Sequence, residues 1–296
     1  MATPAQWLEA TRPRTLPASV APVLAGTGAA AQAGNVVWWK AVLALLLALA
    51  LQVGVNFAND YSDGVRGTDA VRVGPARLVA SGAVPARAVK LAAGACFAVA
   101  ALLGLVLALS SAWWLVFVGA ACIGAAWYYT GGRRPYGYRG LGEVSVFVFF
   151  GLVATVGTAF VQADGAAGGA RIGWPAVVTG AAVGLLACAV LMANNLRDLS
   201  GDAAVGKRTL AVRLGERRAR MGYAALVTVP YVLVFVLAAT GPAVLLAFGS
   251  LPLAIRGIRA VSRGATGMAL VPVLRDTGLA ELVFGALLGV GLALTG

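Results

Sequence analysis

The segment WWKAVLALLLALALQVGVNFANDYSD, residues 38–63, joins a long apolar run to a polar end. The run over 38–58 has the length of about 20 residues that a helix needs to cross a bilayer. It then passes directly into asparagines and aspartates. The segment therefore predicts a transmembrane helix whose last turns carry polar side chains at the membrane surface.

Long apolar runs recur along the whole chain of 296 residues, of which 60% are hydrophobic and 11% charged. Soluble domains average about 45–50% apolar and 25% charged residues, so a soluble fold is excluded. The runs that predict membrane spans are 16–33, 38–58, 88–109, 112–130, 141–163, 174–194, 220–239, 242–260 and 277–296. We expect an all-α bundle of nine transmembrane helices with cytoplasmic cap loops, forming one domain over 1–296.

The basic residues indicate how this bundle is oriented. With nine spans, all but two of the 23 lysines and arginines fall on one side, and Lys40 and Arg171 are the exceptions. Because cytoplasmic loops are enriched in lysine and arginine, we expect a cytoplasmic N-terminus and an external C-terminus in the cell (inner) membrane. The net charge of +12 then reflects topology, and no nucleic-acid partner is expected.

The chain contains no histidine, which excludes a Ser-His-Asp triad and histidine metal ligands. Its three cysteines lie within apolar runs without a C-x-x-C spacing, so they are predicted to pack as small apolar side chains. A catalytic or metal-binding site in this chain must therefore be built from other residue types.

Two acidic clusters follow predicted spans on the cytoplasmic side. In a helix the first cluster lines one face at spacings i, i+3, i+4 and i+7, and it consists of Asn56, Asn59, Asp60 and Asp63. Gly64 and Gly67 would allow a turn that returns Asp69 towards it. The second cluster contains Asn194, Asp198 and Asp202. An Asn-x-x-x-Asp unit thus occurs twice, which suggests two similar half-bundles that face each other.

Carboxylates one helical turn apart repel one another unless a cation lies between them. Carboxylate and amide oxygens are the ligands that Mg²⁺ and Mn²⁺ prefer, and Mg²⁺ completes its shell with water and substrate phosphates. We therefore expect two or more Mg²⁺ ions, bridged by a diphosphate. The predicted metal ligands are Asp60, Asp63, Asp69, Asp198 and Asp202, and all but Asp69 are also the predicted catalytic residues.

Several polar side chains near the clusters are candidates for substrate contacts. Arginine binds phosphate oxygens through a planar fork, and lysine acts as a point charge. The predicted diphosphate-binding residues are Asn56, Asn59, Arg66, Arg133, Asn194, Arg197, Lys207 and Arg208. Tyr129 and Tyr136 are candidates for contact with an acceptor, although they equally fit an interfacial aromatic belt. Likewise, each of the basic residues is equally consistent with a role limited to setting the orientation of the chain in the membrane.

Two other interpretations of the acidic clusters stay open. Aspartates and arginines of the loops would form simple ion pairs in the first. In the second, the clusters would belong to a cation-transport path. A coupled transporter usually carries ionisable groups near mid-span, and no predicted span has an acid near its middle.

Five stretches of the chain resemble the UbiA superfamily of intramembrane aromatic prenyltransferases, and within it the 1,4-dihydroxy-2-naphthoate polyprenyltransferases. They are RPRTLPASVAP (12–22), NDYSDGVRGTD (59–69), RPYGYRGLGE (134–143), NNLRDL (194–199) and GKRTL (206–210). The general superfamily pattern has an aspartate where this chain has Gly67, with Asp69 nearby instead, as in the naphthoate branch.

The resemblance implies that the chain transfers a polyprenyl group from a polyprenyl diphosphate to 1,4-dihydroxy-2-naphthoate, with loss of CO₂ and diphosphate. Demethylmenaquinone would be the product, and membrane lipid would surround the site. Another aromatic acceptor, such as 4-hydroxybenzoate or a porphyrin-type ring, is the alternative within the superfamily. The pattern Asp-Gly-x-x-Ala-Arg…Asp-x-x-x-Asp of CDP-alcohol phosphotransferases is absent from the sequence.

Overall fold

A computed structural model describes residues 2–68, 77–163 and 172–296 of the chain. The described residues form helices joined by turns and loops, and no strand occurs among them. The helices are α1 (Pro4–Ala10), α2 (Pro17–Gln32), α3 (Trp38–Arg66), α4 (Ala86–Ser110), α5 (Leu115–Tyr128), α6 (Gly142–Gln162), α7 (Trp174–Arg197), α8 (Leu199–Ala204), α9 (Leu210–Leu214), α10 (Glu216–Thr240), α11 (Pro242–Ser262) and α12 (Gly267–Ala293). The predicted all-α class is confirmed.

Seven of these helices are long and apolar enough to cross a membrane, namely α3, α4, α6, α7, α10, α11 and α12. The predicted spans 16–33 and 112–130 fall on α2 and α5, which are shorter. At 1.5 Å per residue, helices of 16 and 14 residues are shorter than a hydrocarbon core of about 30 Å. The nine-span count, the cap loops and the orientation of the termini stay predictions.

The outward faces of the bundle are apolar. Large side chains such as Leu102, Phe117 and Phe235 are more than three-fifths exposed. In a soluble protein such faces would need a partner, whereas in this chain they fit contact with lipid. The inward faces form a core centred on α7, the most buried of the seven long helices.

Close packing of α2 against α12 depends on glycines. A Cβ atom added at Gly28 would lie 2.2 Å from the carbonyl oxygen of Gly289, so the two backbones touch. Gly151 approaches Gly184 of α7 in the same way, inside a π-helical stretch of α6 at Phe147–Val153. Small residues allow such contacts between membrane helices, where dispersion rather than the hydrophobic effect holds helices together.

One expectation about the spans is wrong. The last helix begins at Gly267 rather than at 277, and it contains Arg275 and Asp276, which form an ion pair of 2.8 Å. Glu281 therefore lies near the middle of α12, fully buried, and neither carboxylate oxygen makes a hydrogen bond to the described residues. The chain therefore does contain a buried acid near the middle of a long apolar helix. The argument against a transporter that relied on the lack of such an acid no longer holds.

Candidate active site

The first acidic cluster lies in the last three turns of α3. Asn56, Asn59, Asp60 and Asp63 are all buried, and their spacing places them on one face of the helix. The helix then ends at Gly67, whose left-handed conformation (φ 72°) is one that glycine adopts at little cost. Asp69 lies outside the described residues, so its predicted role as a metal ligand stays a prediction.

Asp60 is held by the loop that precedes α4. Its two carboxylate oxygens accept hydrogen bonds from the backbone N–H groups of Leu78 and Val79, at 3.0 and 3.2 Å. The carboxylate is thus fixed in position at the end of the bundle that we call the polar end, where the last turns of α3 and α7 lie.

Asp63 links three separate parts of the chain. The Tyr138 hydroxyl, from the loop between α5 and α6, donates a hydrogen bond to its Oδ1. The Lys207 ammonium, from the loop after α8, lies 3.5 Å from its Oδ2 and 4.7 Å from the centre of the Tyr138 ring. Burial raises the pKa of Tyr138, and the nearby Asp63 carboxylate raises it further. The phenol therefore remains a neutral donor.

The second acidic cluster spans the junction of α7 and α8. Arg197 ends α7 and binds both oxygens of Asp198 through its Nε and Nη2, at 2.8 and 2.7 Å. Asp202 lies in the first turn of α8, and its carbonyl accepts the N–H of Lys207 at 2.9 Å. The carboxylates of Asp202 and Asp63 both act electrostatically on the Tyr129 hydroxyl, so Tyr129 lies close to both clusters.

A cavity of about 380 Å³ is lined by residues from both clusters. Asp60 of α3 and the pair Asn194 and Arg197 of α7 belong to its wall. We call it the Asp60 cavity. A second, shallower pocket of about 430 Å³ lies beside Tyr138, and its basic wall contains Arg134, Arg139, Arg208 and Arg213. The polar end therefore presents buried carboxylates flanked by many cationic side chains.

The sequence model of the UbiA prenyltransferase family matches residues 19–266. The chain belongs to the UbiA prenyltransferase family. A 1,4-dihydroxy-2-naphthoate octaprenyltransferase from Mycobacterium tuberculosis is 55% identical over 284 residues, which cover 96% of this chain and 95% of the relative. The protein of the same name from Escherichia coli is 42% identical over 235 residues, covering 74% of this chain and 72% of the relative. The resemblance inferred from the motifs is confirmed.

Solved structures share the fold of this UbiA family member at low sequence identity. A UbiA homolog from Aeropyrum pernix K1 superposes with a TM-score of 0.69 at 17% identity, covering 94% of this chain and 97% of that one. A homolog from Archaeoglobus fulgidus bound to GPP and Mg²⁺ gives a TM-score of 0.66 at 16% identity, covering 96% and 99%. The chain is thus a multi-pass membrane protein with the UbiA fold.

Some predicted site residues of this UbiA protein bond to its own backbone. The Arg66 guanidinium donates to the carbonyl oxygens of Thr130 and Gly132. The Tyr136 hydroxyl donates to the carbonyl of Ala125 at 2.8 Å, and Arg133 is exposed and lines neither cavity. These contacts shape the loop between α5 and α6, and they fit a supporting role better than contact with substrate.

Two of the predicted asparagines are also held by protein groups. Asn59 accepts a hydrogen bond from the Thr130 hydroxyl at 2.7 Å. The Asn56 side-chain amide donates to the carbonyl of Thr11 at 2.7 Å and to the Thr15 hydroxyl at 3.2 Å. Asn56 therefore fastens the segment between α1 and α2 to α3.

Several residues of the cavity and the clusters were not among the predicted ones, and three of them carry chemistry that matters here. Tyr138 bonds to Asp63, while Arg12 and Arg77 line the Asp60 cavity. Tyr138 and Arg12 both lie in stretches that carry the family resemblance, which is the signal that pointed to them. Arg77 belongs to the long loop before α4, and nothing in its sequence context distinguishes it.

Within the described ranges, no group of three or more acidic or sulfur side chains is close enough to hold a metal ion. Cations stand beside the carboxylates instead, as Arg197 does beside Asp198 and Lys207 beside Asp63. The donor set at the polar end consists of oxygens alone, because the chain has no histidine and its cysteines lie elsewhere. Oxygen donors suit a hard ion such as Mg²⁺.

Proposed function

We propose that this chain transfers a polyprenyl group from a polyprenyl diphosphate to 1,4-dihydroxy-2-naphthoate, releasing diphosphate and CO₂ and giving demethylmenaquinone in menaquinone biosynthesis. The observation that carries the proposal is the ion pair of Asp63 with Lys207, which connects the first acidic cluster to the loop that follows the second one in a UbiA protein. Relatives that carry the naphthoate name at 55% and 42% identity support the choice of acceptor.

The prenyl transfer itself needs neither an external oxidant nor a strong protein base, and it gives the prenylated naphthoquinol, whose later oxidation outside this site gives demethylmenaquinone. The carbon–oxygen bond of the allylic donor breaks, and its electron pair leaves with the diphosphate. The ring carbon that bears the carboxylate forms the new carbon–carbon bond. The carboxylate then departs as CO₂, and its electron pair restores the aromatic ring. Because the hydroxyl groups of the acceptor make the ring electron-rich, a chain without histidine suits this chemistry.

The residues that would hold Mg²⁺ are Asp60, Asp63, Asp198 and Asp202, with Asp69 as a further candidate. When bound, divalent ions supply charge neutralisation for the diphosphate as it leaves. The oxygen-only donor set supports this assignment, as do the backbone hydrogen bonds that fix both carboxylate oxygens of Asp60 in position. We propose two or more ions, because the carboxylates come from two clusters.

Arg197 and Lys207 are proposed to exchange partners when the donor binds. Each now bonds to a carboxylate, Arg197 to Asp198 and Lys207 to Asp63. With Mg²⁺ held by those carboxylates, both basic side chains would be available to bind phosphate oxygens. Preorganised positive charge at that place stabilises the departing diphosphate. Asn59 and Asn194 would orient the same oxygens, and Arg208 would add positive charge beside Tyr138.

The acceptor is proposed to bind in the Asp60 cavity, and Tyr129, which is close to the carboxylates of both clusters, would support that site from outside the cavity wall. This tyrosine packs edge-to-face against Tyr136, with ring centres 5.5 Å apart. The apolar bundle below would hold the prenyl chain and keep bulk water from the allylic cation. We place the protein in the cell membrane, with residues 1–296 as one domain and the polar end in the cytoplasm.

An acceptor comparison tests this function. Purified protein in lipid nanodiscs is incubated with Mg²⁺, a labelled polyprenyl diphosphate and either 1,4-dihydroxy-2-naphthoate or 4-hydroxybenzoate. We expect a prenylated naphthoquinol by mass spectrometry, with the benzoate at least about 100-fold slower, since pocket contacts discriminate acceptors on that scale. Equal or faster prenylation of 4-hydroxybenzoate would assign the chain to the alternative acceptor class.

A further inference from the structure

The N-terminal segment, residues 4–15, forms one wall of the Asp60 cavity. It comprises α1 and the turn that leads to α2, and it lies against α3. Trp7 packs edge-to-face on Phe57 with ring centres 5.6 Å apart, and Ala10 is buried. Residues from this segment face Asp60, Asn194 and Arg197 across the cavity. The segment is therefore part of the site rather than a loose terminus.

Arg12 occupies an unusual backbone position in this segment. Its φ of 54° is the one positive φ at a non-glycine residue in the ranges 2–68, 77–163 and 172–296. Left-handed backbone costs a side-chain-bearing residue roughly 1–2 kcal/mol, and such conformations persist where the surroundings enforce them. Here the Arg12 carbonyl accepts the N–H and the hydroxyl of Thr15, at 2.8 and 3.0 Å.

Helix α3 holds this turn on both sides of Arg12. The Asn56 amide donates to the Thr11 carbonyl before it and to the Thr15 hydroxyl after it. Gln52 donates to the same hydroxyl at 2.9 Å. The helix that carries Asp60 thus also fixes the backbone from which the Arg12 side chain projects.

The Arg12 guanidinium lines the Asp60 cavity, and its Nη2 atom is buried without a hydrogen bond to any residue that the structure describes. Arg197, in the same cavity wall, differs because Asp198 satisfies it. A buried charged donor without an acceptor costs free energy, so natural structures retain one where a ligand supplies the acceptor. The ligand of Arg12 should therefore carry a negative charge.

The wall around Arg12 indicates which anion this is. The wall has an apolar part formed by Leu8, Pro13, Val190 and Leu274, and a polar part that includes Asp60, Asn194 and Arg197. The polar part suits a diphosphate, whereas an aromatic acid needs one cationic group and an apolar surface for its ring, which Arg12 and the apolar part supply. A space of about 380 Å³ accommodates a bicyclic ring.

We propose that Arg12 binds the carboxylate of the aromatic acceptor and so sets which ring carbon faces the allylic carbon of the donor. This inference rests on the function proposed above. The planar guanidinium matches both carboxylate oxygens, as a lysine ammonium does not. The ion pair forms on binding and ends when CO₂ leaves, so Arg12 contributes to acceptor affinity more than to turnover.

Steady-state kinetics of the full-length protein in nanodiscs test the proposal. Arg12→Gln should raise the acceptor KM, measured with the naphthoate, about tenfold or more, which is the loss typical of a hydrogen bond to a charged group. The donor KM, measured with the polyprenyl diphosphate, should stay within about twofold. Arg12→Lys should recover part of the acceptor affinity. Arg87→Gln, at an exposed position on α4 that lines neither cavity, serves as the matched control.

A pair of inhibitors isolates the carboxylate. 1-Hydroxy-2-naphthoate and 1-naphthol differ by that group alone, and both are titrated against the acceptor. The wild-type protein should bind the acid more tightly, and Arg12→Gln should remove most of that preference while thermal unfolding and donor KM stay unchanged. An unchanged preference, or a rise in donor KM instead of acceptor KM, overturns the assignment. A wild-type protein that prenylates no naphthoate refutes the proposed function itself.

Discussion

The Asp63 carboxylate lies 3.5 Å from the Lys207 ammonium, and this contact joins the end of α3 to the loop that follows α8. The Tyr138 ring lies under the ammonium group and its hydroxyl bonds to the same carboxylate. Three distant parts of the sequence therefore meet at one charged point. A cation that can move from a carboxylate to a phosphate is what a diphosphate-releasing site requires.

We expect Lys207→Gln to raise the donor KM about tenfold and to leave the acceptor KM nearly unchanged. Loss of a buried charge-assisted contact has consequences of this size. Lys207→Arg should restore most of the donor affinity, because it keeps the charge. Kinetics with the polyprenyl diphosphate varied at saturating acceptor provide the measurement. If both KM values rise equally, Lys207 supports the fold and does not contact the donor.

Asp198→Ala should reduce turnover by at least about 100-fold, as should Asp60→Ala. Each removes a carboxylate proposed to hold Mg²⁺, and charge stabilisation of that kind is worth several kcal/mol in a transition state. Both proteins should still insert and purify as the wild type does. Glu216→Gln is the control, since Glu216 pairs with Arg220 on an exposed surface away from both cavities. Near wild-type turnover of Asp198→Ala at saturating Mg²⁺ would remove Asp198 from the site.

Chelation gives an independent test of the metal proposal. EDTA should stop prenyl transfer, and added Mg²⁺ should restore it, because a diphosphate leaving group needs its charge neutralised. Binding of Mn²⁺ can be followed without turnover, by its paramagnetic resonance signal in the presence of a non-reactive diphosphate. We expect the signal of bound Mn²⁺ to fall in the Asp60→Ala protein. Prenyl transfer that continues in EDTA argues against the whole diphosphate site.

Much of this architecture could be predicted from the sequence. The hydropathy of 38–58 specified a spanning helix, and the i, i+3, i+4, i+7 spacing specified that Asn56, Asn59, Asp60 and Asp63 share a face. Such patterns are local, and the 3.6-residue period of a helix translates them directly into structure. The start of α12 was not predicted, because the charged residues Arg275 and Asp276 resemble a loop in the sequence although both lie within the helix.

Side-chain partners could not be predicted in the same way, because they depend on which distant segments meet. Nothing in the sequence near Asn56 says that its amide bonds to Thr11 and Thr15, and nothing near Arg66 says that it bonds to Thr130. The Asn-x-x-x-Asp repeat predicted that two clusters meet, and Lys207 was among the predicted diphosphate-binding residues, yet its contact with Asp63 and the bond from Tyr138 were not predicted. Tertiary contacts of this kind require the fold itself.

The raised pKa of Tyr138 has a consequence for stability at high pH. Burial and the Asp63 carboxylate both disfavour its phenolate, so the folded protein keeps a proton that the unfolded chain loses near pH 10. Because the unfolded state binds fewer protons above that pH, unfolding becomes more favourable as pH rises. We expect no contribution of this titration between pH 7 and 9. Above about pH 10 the wild type should lose thermal stability relative to Tyr138→Phe, in melting curves at stepped pH.

The same substitution should affect activity differently. Tyr138→Phe removes a donor to Asp63 while the ring beneath Lys207 remains, so we expect a several-fold higher Mg²⁺ requirement with the donor KM less affected. If the Tyr138→Phe protein needs the same Mg²⁺ concentration as the wild type, the tyrosine has only a structural role.

The contact between α2 and α12 predicts where the bundle tolerates no added volume. A Cβ atom at Gly28 would stand 2.2 Å from the backbone oxygen of Gly289, and backbone cannot move aside as a flexible side chain can. Gly28→Ala should therefore destabilise the protein by about 1–3 kcal/mol, the usual cost of overpacking, even though alanine favours helix more than glycine does. Gly119→Ala in α5 is the matched control, because its added Cβ meets open space. Thermal unfolding in nanodiscs should show a lower melting temperature for Gly28→Ala alone. Equal melting temperatures would mean that α2 can shift along α12 to accommodate the added methyl group. The segment that carries Arg12 would then be held less firmly than its hydrogen bonds to α3 imply.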